Sequence, residues 1–232
     1  MKVAIMQPYF MPYIGYFQLI NAVDKFIIYD DVNFIKKGWI NRNTILVNGN
    51  GFLFNIPLKK VSQNKLINQI DIDEDSGWKT DLLKTIAISY NKAPFFLEIF
   101  PVIEDIIRYE EKNLAKFIKY SLRQICNFLS IETTIMIASD IKKNNDLKGQ
   151  DKIIEICKII EADNYINAIG GMALYNKDFF LRQNISLNFI KTTPIIYSQF
   201  NNEFTPWLSI IDVMMFNAPE RIKDHLCQYE LN

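Results

Sequence analysis

The run Lys2-Val3-Ala4-Ile5-Met6 breaks at once into Gln7-Pro8-Tyr9-Phe10-Met11-Pro12-Tyr13-Ile14-Gly15-Tyr16-Phe17, and the reading of the fold starts at that break. A short apolar run closed by proline and followed by a helical pattern is how a parallel α/β sheet opens, because a strand covered on both faces reads as continuous hydrophobic residues. Pro8 and Pro12 forbid regular structure between Met6 and Pro12, so the chain turns there. Pro12 sits at the first turn of a predicted helix with Phe17, Ile20 and Val23 on one side. A second apolar run, Lys25 to Tyr29, ends on the adjacent carboxylates Asp30 and Asp31. Val32 to Asn43 then reads as a polar, aromatic and basic segment with little period. Two strands that both end in polar clusters predict a crevice at their carboxyl ends, where open α/β sheets bind ligands.

Outward from that stretch, Thr44 to Leu58 holds two β-prone runs around Asn48-Gly49-Asn50-Gly51. Asn-Gly supplies the positive φ angles of a tight turn, so a β-hairpin is expected, with Pro57 at the strand's exit. Gln69 to Ile72 is a further short strand. Apolar spacing of three and four then predicts helices from Ser76 to Tyr90, about Phe95 to Arg108 and about Lys112 to Leu129. No Gly/Pro/Ser-rich linker flanks this block, so about residues 76–130 form a helical layer or insert within one domain spanning 1–232. Alternation resumes with a strand at Thr133 to Ala138, a helix at Asp151 to Glu161 and a strand at Asn164 to Ile169. A short helix near Asn176 to Arg182 and a strand at Leu187 to Ile190 follow. The region of about 206–232 reads as helical, with Trp207 and Leu208 packing inward from a helix over Pro206 to Asn217. The expected fold class is α/β: a mostly parallel, doubly wound (Rossmann-like) sheet of about five strands with a β-hairpin and a central helical layer.

Composition narrows the function. The 232 residues are 49% hydrophobic, enough for a sizeable core, and Lys+Arg and Asp+Glu both number 26. A balanced charge gives no global field toward nucleic acid or an anionic membrane, and no nucleic-acid groove is evident. Cys126, Cys157 and Cys227 are odd in number and widely spaced, which suits reduced buried thiols. No signal-peptide pattern opens the chain, and no run approaches the roughly twenty apolar residues of a membrane span. A cytoplasmic protein is the expectation, and a homo-oligomer is compatible with it.

The chemistry available is limited. The single histidine, His225, falls on a terminal helix as a surface residue, which argues against a Ser-His-Asp or Cys-His triad. There is no zinc spacing, Walker A motif or GxGxxG, so no metal site is assigned. Catalysis then rests on carboxylates, Lys, Arg, Tyr or positioning, and Asp30, Asp31 and Lys37 are the catalytic candidates. The paired acids suit a ribose hydroxyl, a Mg²⁺ ion or a substrate amine, and a solvated loop pair equally. In the first strand–helix loop, Gln7, Pro8, Tyr9, Tyr13, Gly15 and Tyr16 are binding candidates, since that loop holds phosphates in α/β nucleotide enzymes. Gln7 is notable because an amide has little reason to end a buried strand. Trp39 offers a stacking face, Asn41 and Asn43 directional hydrogen bonds, and Arg42 a fork for phosphate. Lys148 at a helix start, Gly170 and Gly171 directly after a strand, and Tyr175 complete the sheet-edge candidates. Tyr197, Gln199, Ser209 and Asp212 join them if the C-terminal region folds over the sheet edge.

Taken together, Gln7-Pro8-x-x-x-Pro12-x-x-Gly15-Tyr16-Phe17, Asp30-Asp31-Val32 and Lys37-Gly38-Trp39-x-Asn41-Arg42-Asn43 resemble the WbqC-like family of bacteria. Lys148-Gly149-Gln150-Asp151, Ile169-Gly170-Gly171-x-x-Leu174-Tyr175, Tyr197-x-Gln199 and Pro206-Trp207-Leu208-Ser209-Ile210-Ile211-Asp212 extend the resemblance over nearly the whole chain. It implies a gene product of surface-polysaccharide (O-antigen-type) biosynthesis. The expected activity is group transfer: acylation or aminoacylation of an amino group on a nucleotide-linked deoxyamino sugar, with a small acyl or amino-acid donor and ATP with Mg²⁺ as a conceivable energy source. The alternatives are a non-catalytic binding or scaffold protein of the same pathway and a glycosyltransferase.

Overall fold

A computed structural model describes residues 1–232. In chain order the elements are β1 (Lys2–Met6), α1 (Ile14–Asn21), β2 (Lys25–Ile28), β3 (Arg42–Val47), β4 (Asn50–Asn55), β5 (Leu58–Lys59) and β6 (Asp71–Ile72). Helices α2 (Trp78–Tyr90), α3 (Phe96–Arg108) and α4 (Leu114–Phe128) follow. The chain continues through β7 (Thr134–Ile137), α5 (Gly149–Ile159), β8 (Asn164–Ala168), α6 (Lys177–Leu181) and β9 (Ser186–Thr192). It ends with α7 (Ile210–Phe216), α8 (Pro219–Leu226) and β10 (Tyr229–Leu231).

The central sheet is mostly parallel, in the order β10-β9-β8-β1-β2-β7. β1 lies parallel to both β2 and β8, β2 to β7, and β8 to β9; only β10 runs antiparallel, on the outer edge of β9. The two-residue period of a strand explains the two cores. Ala4, Phe26 and Ile28 point into the larger apolar cluster, together with α1, the α2–α4 helices and α7. Val3, Ile5 and Ile27 point the other way, onto Ile153, Cys157 and Phe180 of α5 and α6. Both faces of β1 and β2 are therefore covered by helices, which is why these strands are apolar throughout.

β3 and β4 form the expected hairpin, joined by Asn48 at φ 50° and Gly49 at φ 76°, the paired left-handed residues of a type I′ turn. The α2–α4 block packs into the larger core beside Ile45 and Phe54 of the hairpin.

Several readings from sequence are corrected. β10 belongs to the sheet, not to a terminal helix: three residues carry no readable period, and their backbone bonds to β9 decide the conformation. The predicted helix from Pro206 starts only at Ile210, where the Ser209 hydroxyl accepts the Ile211 N–H at 3.3 Å. Trp207, upstream of that cap, has φ 62° and is 67% exposed instead of packing inward. Arg42 and Asn43 belong to β3, and His225 is buried, its Nδ1 3.0 Å from the Gln228 amide oxygen. Cys126 and Cys157 are buried thiols, which desolvation pushes up to about 12, whereas Cys227 is exposed.

Candidate functional site

The sheet order reverses direction at β1. From it the chain builds outward through β2 and β7 on one side, then returns to build through β8 and β9 on the other. Connections leaving these neighbours diverge, and a crevice opens at the carboxyl ends of the strands. Here it has a volume of about 740 Å³. Gln7 enters it from the end of β1, Tyr29 from β2, Asn167 and Ala168 from β8, and Lys191 and Thr192 from β9.

The Gln7–Tyr13 loop is rigid for identifiable reasons. Tyr16 in the first turn of α1 donates its hydroxyl to the Gln7 backbone carbonyl at 2.8 Å, and Gln7 lines the cleft. Met11 is held at φ 44°, a costly conformation for a side chain of its size, and its buried carbonyl accepts from Asn43 Nδ2 at 2.9 Å and Ser209 Oγ at 2.7 Å. Asn43 also reaches the Phe10 carbonyl at 3.3 Å and accepts the Thr44 N–H at 2.8 Å. Gly15 is required by contact: a Cβ there would overlap the Tyr13 ring and the Thr192 hydroxyl. Tyr9 packs beside Tyr16 with ring centres 5.4 Å apart, and Tyr13 meets Trp207 edge-on at 5.9 Å.

Every titratable group lining this cleft is a tyrosine except Lys191, and no carboxylate lines it. Burial raises the pKa of Tyr9, Tyr13 and Tyr16; Tyr29 is raised by burial first and by the neighbouring Asp31 charge second. Their phenols stay protonated at neutral pH and serve as hydrogen-bond donors.

Of the residues singled out in the sequence, Gln7, Tyr9, Tyr13, Gly15, Tyr16, Gly170, Gly171 and Tyr175 come together in this cleft. A smaller pocket of about 190 Å³ beside it brings Trp39 and Asn43 against Tyr9, Tyr13 and Trp207. Tyr197 lines a third, apolar pocket that shares Tyr13, Thr192 and Trp207 with the cleft.

The remaining residues lie elsewhere, which corrects the expectation that the acids share the cavity. Asp30 is buried and accepts the Ser139 N–H at 3.0 Å and the Ser139 hydroxyl at 2.6 Å, pinning β2 to the turn after β7. Asp31 is ion-paired with Lys143 at 2.7 Å and Lys152 at 3.1 Å, both nearly fully buried. Neither acid is free to act as a base. Lys37 is exposed at φ 60° on a loop closed by Arg42, whose guanidinium donates to the carbonyls of Lys37 and Gly38 and lies 5.5 Å over the Trp39 ring. Asn41 is spent on the Ile56 carbonyl at 2.8 Å, Pro8 is buried within the loop, and Lys148 precedes α5 outside the cleft without a side-chain bond to the helix end. Asp212 is fully buried, accepting from Tyr90 at 2.8 Å and from Tyr197 and Gln199 at 2.7 Å each.

Sequence reasoning missed Trp207, Asn167, Lys191 and Thr192. Asn167 carried the same signal as Gln7, an amide closing an apolar strand. Its Nδ2 donates to the Tyr165 hydroxyl at 2.9 Å and its Oδ1 accepts the Ala168 N–H at 2.7 Å.

The fold and cleft define an α/β protein with a mostly parallel central sheet and a crevice at the carboxyl ends of β1 and β8. The chain belongs to the WbqC-like protein family, whose sequence profile matches residues 7–224. It is similar to Rv1507c of Mycobacterium tuberculosis (strain ATCC 25618 / H37Rv), an uncharacterized protein, with 28% identity over 228 residues covering 97% of each chain. No solved structure matches it. No helix is long and apolar enough to cross a membrane.

Proposed function

We propose that the cleft binds a nucleotide-linked deoxyamino sugar and that the protein acylates or aminoacylates its amino group during synthesis of a bacterial surface-glycan (O-antigen-type) precursor. The observation that carries this reading is the cleft itself: about 740 Å³, aromatic, and lined by neutral phenols and one lysine with no acid. Its size falls in the roughly 300–1,000 Å³ range of small-molecule sites. Aromatic faces suit a base or a sugar ring, the Gln7 amide suits sugar hydroxyls, and Lys191 is the cation for a diphosphate.

In the reaction the sugar amine attacks the carbonyl carbon of an activated acyl donor. The nitrogen–carbon bond forms, the bond to the leaving group breaks, and the amine's proton departs with that group. Protonated Tyr9, Tyr13 or Tyr29 would donate to the oxygen that becomes negative in between, and a dry preorganised donor is worth most at that step. Asp30, Asp31 and Lys37 take no part in it. A Mg²⁺ ion does not fit the cleft, since Mg²⁺ binds through one or two carboxylates and none lines it. The transfer therefore draws on an acyl donor that arrives already activated.

The absence of a cleft acid also favours a second reading, a protein that binds the precursor and presents it without turnover. Thermal-shift titration with a panel of nucleotide sugars tests binding, and mass spectrometry of an aminosugar nucleotide incubated with acyl thioesters tests transfer. Stabilisation with a mass gain supports the enzyme, stabilisation without one supports the presenter, and no stabilisation at millimolar concentration overturns both.

A further inference from the structure

Tyr13, Thr192 and Trp207 form a wall common to the cleft and to an apolar chamber of about 230 Å³ behind it. We infer that this chamber receives the apolar part of the transferred group, a neutral acyl or aminoacyl side chain of up to about nine non-hydrogen atoms, while the amino sugar occupies the cleft. The inference rests on the acyl-transfer reading and adds the donor's size and polarity to it.

No charged side chain lines the chamber. The hydroxyl of Tyr197 is turned out of it, donating to buried Asp212 at 2.7 Å, so the ring alone forms the wall. Ile14, Ile195, Phe204, Leu208 and Val213 are among the aliphatic and aromatic side chains that make up most of the remaining lining. The chamber is preformed: the strap between β9 and α7 is closed on itself by Gln199, whose amide donates to the Thr205 carbonyl at 3.1 Å and accepts its N–H at 2.7 Å. The same amide donates to Asp212 at 2.7 Å, which anchors the strap to α7. Trp207 stands at the shared wall in a left-handed conformation and meets Tyr13 edge-on. A bulky residue persists there only where its surroundings hold it.

The capacity follows from volume. An apolar cavity of roughly 150 Å³ holds benzene, six non-hydrogen atoms, so one of about 230 Å³ holds about nine at the same density. A longer chain leaves the chamber through its open side and gains no further apolar contact, and a charged side chain is disfavoured by the cost of burying an unpaired charge.

The test uses the purified full chain and uncharged linear primary amides from propanamide to dodecanamide, measured by calorimetric titration without nucleotide sugar. Affinity should rise about fourfold per added methylene and stop rising near nine carbons. Val213→Ala, which enlarges the chamber, should move that break one or two carbons longer, and Val213→Phe should shorten it. No dependence on chain length, or a rise through twelve carbons that Val213→Ala leaves unchanged, overturns the inference. Val213→Ala keeps the test decisive where Val213→Phe misfolds. Amide binding with the expected break but no response to nucleotide sugars would leave the chamber standing and remove the sugar reading; the opposite pair of results would do the reverse.

Discussion

Substituting Asn43 and Ser209, singly and together, tests how the cleft is held in shape. Asn43→Ala removes two hydrogen bonds to the carbonyls of Phe10 and Met11, the longer at 3.3 Å, and the acceptor of the Thr44 N–H. At about 1 kcal/mol per neutral buried hydrogen bond, with the long one counted as weak, the loss is about 2–3 kcal/mol. Ser209→Ala removes the bond to the Met11 carbonyl and the cap of α7, a loss of about 1–2 kcal/mol. In either single variant that carbonyl keeps one donor. In the double variant it is buried with neither, so the combined loss should exceed the sum by about 1 kcal/mol or more, the cost of an orphaned buried acceptor. Urea denaturation of the four proteins gives the coupling from the midpoints. Additivity within about 0.5 kcal/mol would refute the shared-carbonyl account, because independent sites add to that precision.

Three other perturbations separate structural from ligand-facing roles. Asp31→Ala leaves Lys143 and Lys152 buried without a counter-charge and should lower stability by about 3–5 kcal/mol in the same assay; a change below about 1 kcal/mol would show that the pairs contribute little. Burial is the leading influence on Asp212 and raises its pKa, so the folded chain binds its proton more readily than the unfolded chain does. Its favourable contribution is complete below the unfolded carboxylate pKa and lost as pH rises through the folded value. Wild type should therefore gain stability relative to Asp212→Asn between pH 7 and pH 4, and a flat or falling difference contradicts this. Trp207→Ala should change stability by less than about 0.5 kcal/mol, since the residue is 67% exposed, yet weaken nucleotide-sugar binding about tenfold if the ring stacks on the ligand. Unchanged binding would remove Trp207 from the site.

The sheet was readable wherever residue pattern and burial coincide. Val3, Ala4 and Ile5 are apolar in succession because helices cover both faces of β1, and Asn48-Gly49 fixes the hairpin through φ alone. β10 was not readable: at three residues its conformation is set by β9, a tertiary cause that leaves no local trace. Trp207 was misplaced for a related reason. Its spacing from Leu208 and Ile211 matches a helix, but the Ser209 cap starts that helix at Ile210, four residues after Pro206, and leaves Trp207 outside it and exposed. Asp30 and Asp31 were misjudged because a sequence shows the charge of a carboxylate and not its partner. Ser139, Lys143 and Lys152, which consume them, lie more than a hundred residues away.

The polar residues that looked most like ligands are largely those that make the loop possible. Between Met6 and Ile14 the backbone is irregular and mostly buried, and Pro8 and Pro12 bring carbonyls without N–H groups. Buried carbonyls must find donors, and an irregular loop cannot supply them from its own backbone. Here the donors come from two remote segments: Asn43 to Phe10 and Met11, and the adjacent pair Ser209 and Ile210, whose hydroxyl reaches Met11 and whose N–H reaches Pro12 at 2.9 Å. Asn and Ser therefore act in this chain as scaffolding, and what they present to the cleft is Tyr9 and Tyr13. An Asn43→Asp substitution isolates the point, since it keeps the size and the acceptor for the Thr44 N–H while replacing two donated hydrogens with carbonyl–carboxylate repulsion. Loss of both stability and ligand response in that variant is the expected outcome. A stable protein that loses only ligand response would instead make Asn43 a binding residue in its own right.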